Sequence, residues 1–244
     1  METGGLHVTS PTANFAVQQM RALLGGDPTA LKQSLAHRGT GRAFVFIAVI
    51  LIGAGLYGAA MGSWRSPVQA GYNFIKFPLV LLTTALGNAL INGMLAPLLG
   101  LQLRLSQSLM LVLMSFTIVA AILGSFAPVV LFLLWNAPLL SGPTPISWAT
   151  YNFIQLTQVA IIAFAGIVAN LRLRRLLREI SDSDRVAQKV LMAWLAGNLF
   201  LGSQLCWILR PFIGSPGLPV EFLRPNAFQG NFYETVFRAL VGWI

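Results

Sequence analysis

LRLRRLLREISDSDRVAQK, residues 171–189, holds six of the chain's sixteen Lys and Arg residues and lies between two long apolar runs. Segments rich in Lys and Arg stay on the cytoplasmic side of a membrane. This stretch therefore sets the direction of every segment before and after it. Charged residues make up only 9% of the 244-residue chain, against about 25% in an ordinary soluble domain. Hydrophobic residues make up 56%, and five stretches long enough to cross a bilayer carry no charge at all. The fold class is all-α: a polytopic integral membrane protein, a five-helix transmembrane bundle with amphipathic N-terminal and C-terminal interfacial helices.

Working outward, the spans read as 43–62, 77–99, 108–135, 151–171 and 190–209, between an N-terminal arm (1–42) and a Pro- and Phe-rich tail (210–244). In the fourth, Gln155 and Gln158 lie near the outside end, and the helix continues into the cytoplasm through Arg172, Arg174, Arg175 and Arg178. Those arginines read both as a snorkelling stop signal and as a site for anionic lipid or an acidic partner. Asp182 to Asp184 read as the cap of the return helix. The fifth span carries Asn198, Gly202 and Gln204 as a polar and small face.

In the first span Gly58 and Gly62 sit four apart, a spacing that lets another helix approach closely. Residues 66–76 are too short and polar to span and read as a surface connection. The second span is opened by Pro78 and closed by Pro97, with Ala85, Ala89 and Gly93 as a ladder of small residues. Asn88 and Asn92 lie beside that ladder. An unpaired amide is costly in hydrocarbon, so both are expected to hydrogen-bond to neighbouring helices. Lining a substrate path is their other available role.

Residues 108–135 would form a helix about 42 Å long at about 1.5 Å per residue, against a hydrocarbon core of about 30 Å. Pro128 lacks an N–H and its ring opposes the carbonyl of Gly124, so the run is one kinked helix or two short ones. Charge favours the first. One helix leaves eleven Lys and Arg inside and five outside, whereas two helices leave eight on each side. The N-terminus is then cytoplasmic and the C-terminus outside, in a cytoplasmic (inner) membrane. Trp64, Trp135, Trp148 and Trp207 fall together at the outside interface.

At the N-terminus no basic region precedes an apolar core, so a cleaved signal peptide is not expected. Asp27 and Pro28 open a second short helix in the arm, read as part of a helical pair on the membrane surface or a docking arm for a partner. Phe232, Val236, Leu240 and Ile244 recur at helical spacing in a tail segment too short to span, hence an interfacial helix.

No catalytic or cofactor chemistry is indicated. Cys206 is the sole cysteine and reads as a small buried hydrophobe. His7 and His37 both lie in the arm, so no intramembrane metal site is expected. Gly53, Gly55 and Gly58 match part of a phosphate-loop string, but inside an apolar helix they serve packing. The spans hold no Asp, Glu, Lys, Arg or His, which weakens proton-coupled transport. The net charge of +9 borders apolar spans with few aromatic interleavings, so it points to anionic headgroups and not to nucleic acid.

The lead-in LLGGDPTALKQSL, the cytoplasmic arm and the five spans ending outside resemble the Yip1-type family of small membrane proteins. That resemblance implies work in membrane trafficking and organisation through binding other proteins, without enzymatic chemistry. The expected function is a non-catalytic membrane scaffold, assembly factor or accessory subunit. Its partners would be anionic lipids and other membrane proteins or a second copy, with no cofactor. A small-solute transporter or channel is the alternative. A carrier requires a solvated midplane cavity lined by Asn88, Asn92, Gln155 or Asn198, and a scaffold requires those amides in helix contacts.

Overall fold

The apolar stretches fold as five helices in the computed structural model of the chain, which describes residues 40–138, 140, 147–181, 183–214 and 219–234. They are α1 (Thr40–Ser63), α2 (Pro67–Leu98), α3 (Leu105–Trp135), α4 (Trp148–Ile180) and α5 (Asp184–Leu209). Each is long and apolar enough to cross a membrane. Among the described residues there is no strand, so the all-α bundle stands. The helix pair expected before residue 40 lies outside the described residues. So does most of the helix expected at the C-terminus, of which 232–234 are helical.

Backbone approach explains the arrangement of α1. A methyl group on Gly58 would meet the backbone oxygen of Asn73 at 2.4 Å, and one on Gly62 the backbone oxygen of Gln69 at 2.6 Å. On another face, a methyl on Gly53 would lie 2.3 Å from the backbone oxygen of Ala120. Glycine is what lets α1 sit directly on both α2 and α3. α2 also packs on α3 and α5, and α3 on α4, whereas α4 and α5 touch each other less than any of these pairs do.

Residues 66–76, expected as a surface connection, are instead the start of α2. Ser66 caps the helix by accepting from the Gln69 N–H, and Pro67 occupies its first turn, where no N–H is needed. Pro78 and Pro97 lie inside this helix, not at its borders. α3 is likewise one continuous helix through Pro128. Buried Ala127, Val130 and Leu134 hold its second half against the core, and neighbouring helices allow such a proline in a spanning segment.

α4 runs unbroken into the arginine-rich stretch. Leu173, Leu176 and Leu177 are buried in the core, so the arginines between them point away from it. The return is short: Ser183 occupies the N-cap position of α5 without a side-chain capping bond, and Asp184 lies in the first turn. The arginine-rich turn and the tail after α5 therefore lie at opposite ends of the bundle.

Candidate functional site

Three polar side chains at positions i, i+4 and i+7 open α2: Gln69, Asn73 and Lys76. Each is at most 1% exposed. Their partners are backbone carbonyls of the tail, more than a hundred residues downstream. Gln69 Nε2 donates to Pro211 O at 3.0 Å and Phe212 O at 2.9 Å, and Asn73 Nδ2 donates to Phe212 O at 2.7 Å. Lys76 Nζ donates to Pro211 O at 3.0 Å and Glu221 O at 3.4 Å. Phe222, Phe212 and Tyr72 surround the ammonium with ring faces at 5.2, 5.9 and 6.0 Å, a cation–π environment. No carboxylate forms an ion pair with Lys76 among the described residues.

Across the bundle, Tyr151 of α4 donates its hydroxyl to Gly214 O at 2.9 Å. Residues 210–214 thus leave α5, bond α2 and reach α4. They form a strap across the tail-side end of the space that α4 and α5 leave between them. That space is a cleft of about 1480 Å³. Its walls are α4 from Tyr151 to Ile162 and α5 from Asn198 to Trp207, with Arg210 just past the end of α5; residues of α1, α2 and α3 floor it. The lining is largely apolar, with Gln155, Gln158 and Asn198 inside, Arg210 at the strap, and Glu221 and Arg224 in the tail beyond it.

The sequence-derived residues separate into three groups. Asn88, Asn92 and Asn198 come together: Asn92 Nδ2 donates to Asn88 Oδ1 at 2.6 Å, and Asn88 Nδ2 donates to Asn198 Oδ1 at 2.5 Å. Asn88 and Asn92 are fully buried, and a methyl on Gly197 would lie 2.4 Å from Asn88 Oδ1. Gly58 and Gly62 join α1 to α2, as above. A methyl on Gly93 would meet Leu105 at the start of α3 at 2.5 Å, while one on Gly202 would make ordinary contact with Thr84 at 3.8 Å. Arg172, Arg174, Arg175 and Arg178 lie at the end of α4 away from the cleft. There Arg178 Nε pairs with Asp184 at 3.0 Å on the surface.

Two expectations change. Cys206 is exposed and lines the cleft, because α5 turns that face toward the gap and not toward a neighbouring helix. Trp64 is only 3% exposed and donates its indole N–H to Pro138 O at 2.9 Å, so it packs inside the bundle and does not face lipid.

Sequence reasoning missed Gln69, Asn73 and Lys76. Their helical spacing is the available signal, hidden because all but one of their acceptors are backbone atoms of the tail, the exception being Asn73 Oδ1, which accepts from Gln69 Nε2 at 3.1 Å. Among the described residues no group of three His, Cys, Asp or Glu is placed to hold a metal ion. Comparison of the chain with family models, with curated proteins and with solved structures returns no match.

Proposed function

We propose that the protein is a non-catalytic scaffold, assembly factor or accessory subunit of a larger membrane complex. One observation carries this reading: Asn88, Asn92 and Asn198 bond one another between α2 and α5. A path for a polar solute needs such groups free to replace hydration, and here Asn88 and Asn92 have no exposed surface. α4 and α5, less buried than the other three helices, leave their sides available to another membrane protein or a second copy. The Yip1-type resemblance implies the same class of work.

The reading places the arginine-rich turn in the cytoplasm, against anionic lipid, and the tail outside, in a cytoplasmic membrane. Changing Arg172, Arg174, Arg175 and Arg178 together to Gln should scramble insertion. Reporter fusions at Ile244 that remain uniformly outside would contradict that placement. For the scaffold itself, gentle solubilisation should yield a complex heavier than the 26.4 kDa chain, with a partner at fixed stoichiometry. A lone monomer that makes proteoliposomes permeable to a small solute would instead support the transporter. That second reading draws on Gln155 and Asn198, which do line the cleft.

A further inference from the structure

We propose that the cleft between α4 and α5 binds an anionic phospholipid of the leaflet at the tail-side end of the bundle, with its phosphate held by Arg210 and Arg224. The inference stands apart from the scaffold reading and concerns the opposite end of the molecule from the arginine-rich turn.

The guanidiniums give the chemistry. Arg210 and Arg224 both line this cleft, and the side chain of neither has a hydrogen-bond or ion-pair partner among the described residues. A half-buried cation without a partner favours an anionic occupant. Guanidinium groups match phosphate in charge and geometry. The Arg210 guanidinium lies over the Trp207 ring, and both arginines stay partly exposed. Glu221 is the one carboxylate among the lining residues, so the mouth keeps a net positive charge.

The dimensions give the rest. From Asn198 to Arg210 the wall rises about 18 Å at about 1.5 Å per residue, close to the roughly 15 Å of one leaflet's hydrocarbon. The volume of about 1480 Å³ exceeds the roughly 300–1,000 Å³ of ordinary small-molecule sites, as a two-chain lipid requires. A partner's transmembrane helix needs a groove through both leaflets. Here α4 and α5 converge on their short link, where Leu177 and Val190 are both buried in one core. The strap crosses the axial end through Tyr151 and Gln69, so entry is sideways, from the membrane.

Cys206, the sole cysteine, lies exposed in the cleft and reports occupancy without engineering. The full chain in dodecylmaltoside is titrated with dioleoyl phosphatidylglycerol or dioleoyl phosphatidylcholine while N-ethylmaleimide labelling of Cys206 is timed. Native mass spectrometry of the same samples counts retained lipid. Phosphatidylglycerol should protect Cys206 at a concentration about twenty-five-fold lower, two guanidiniums contributing about fivefold each. The double variant Arg210→Gln/Arg224→Gln should erase that difference. Val159→Trp, at a position 61% exposed on the cleft wall, should weaken protection by both lipids without loss of fold. Glycerophosphate alone should protect nothing. Equal protection by the two lipids, no retained lipid, protection by glycerophosphate, or unchanged selectivity in the double variant would each overturn the proposal. Should the double variant fail to fold, the wild-type comparison and Val159→Trp decide.

Discussion

Where α1 meets α2 and α3, glycines bring backbone onto backbone and leave no space; where α4 faces α5, a gap of about 1480 Å³ remains. α1 and α3 are the most apolar of the five helices, at mean hydropathy 2.3 and 2.5 against 1.8 for α4 and 1.3 for α5, but in hydrocarbon that difference does not draw helices together. Side-chain size at the crossings does. Hydrocarbon offers no hydrophobic drive between helices, and close approach through small residues is what joins them. α4 carries Gly166, but a methyl group there would meet nothing within 4 Å. A glycine joins helices only when a neighbour is presented to it.

The contrast breaks most severely at Gly58. Gly58→Leu drives a side chain into the Asn73 carbonyl, which the helix cannot move, and should cost at least about 3 kcal/mol. Gly166→Leu should leave stability unchanged or raise it by up to about 1 kcal/mol through helix propensity. Thermal denaturation in mild detergent checks both. Similar losses at the two positions would remove the distinction between a closed and an open half.

Lys76 sharpens the comparison from the strap. In Lys76→Met the stem survives and the charged hydrogen bonds to Pro211 O and Glu221 O are lost, each of a kind worth about 1.5–3 kcal/mol. Removing a buried charge without a carboxylate partner also relieves desolvation, so the two terms offset within the bundle. The melting temperature should therefore move little. Chymotryptic cleavage after Phe212 and Phe222 should accelerate about tenfold as the tail lifts. Unchanged cleavage would show that the strap is held by other contacts.

Asn88→Leu should cost about 1 kcal/mol, the scale of interhelical hydrogen bonds in membranes, and should loosen α5 from α2. Hydrogen exchange in α5 around Trp194 to Asn198 measures this, and exchange equal to wild type would count against the amide contact. Asp184→Asn, at the exposed pair with Arg178, should cost under about 0.5 kcal/mol, as surface ion pairs do. A larger loss in the same thermal melt would mean the short turn depends on that pair.

Much of this division is local enough to read in sequence. Charge segregation marks five helices, and the four-residue spacings of Gly58 with Gly62 and Asn88 with Asn92 mark faces that meet other helices. The start of α2 was hidden because polarity was read as exposure. Gln69, Asn73 and Lys76 share one helical face, yet the carbonyls that satisfy them belong to the tail, a relation only the tertiary fold creates. Cys206 was misjudged for a similar reason. An apolar neighbourhood in sequence implies burial only if a helix lies opposite, and opposite Cys206 lies the cleft.

The most direct measurement compares that cysteine with one placed in the closed half. In lipid-free detergent, N-ethylmaleimide labelling of wild-type Cys206 should run to completion under native conditions. In Cys206→Ser/Ala85→Cys, whose new thiol replaces a residue with no exposed surface, labelling should require denaturant. Equal rates at the two positions would contradict the account.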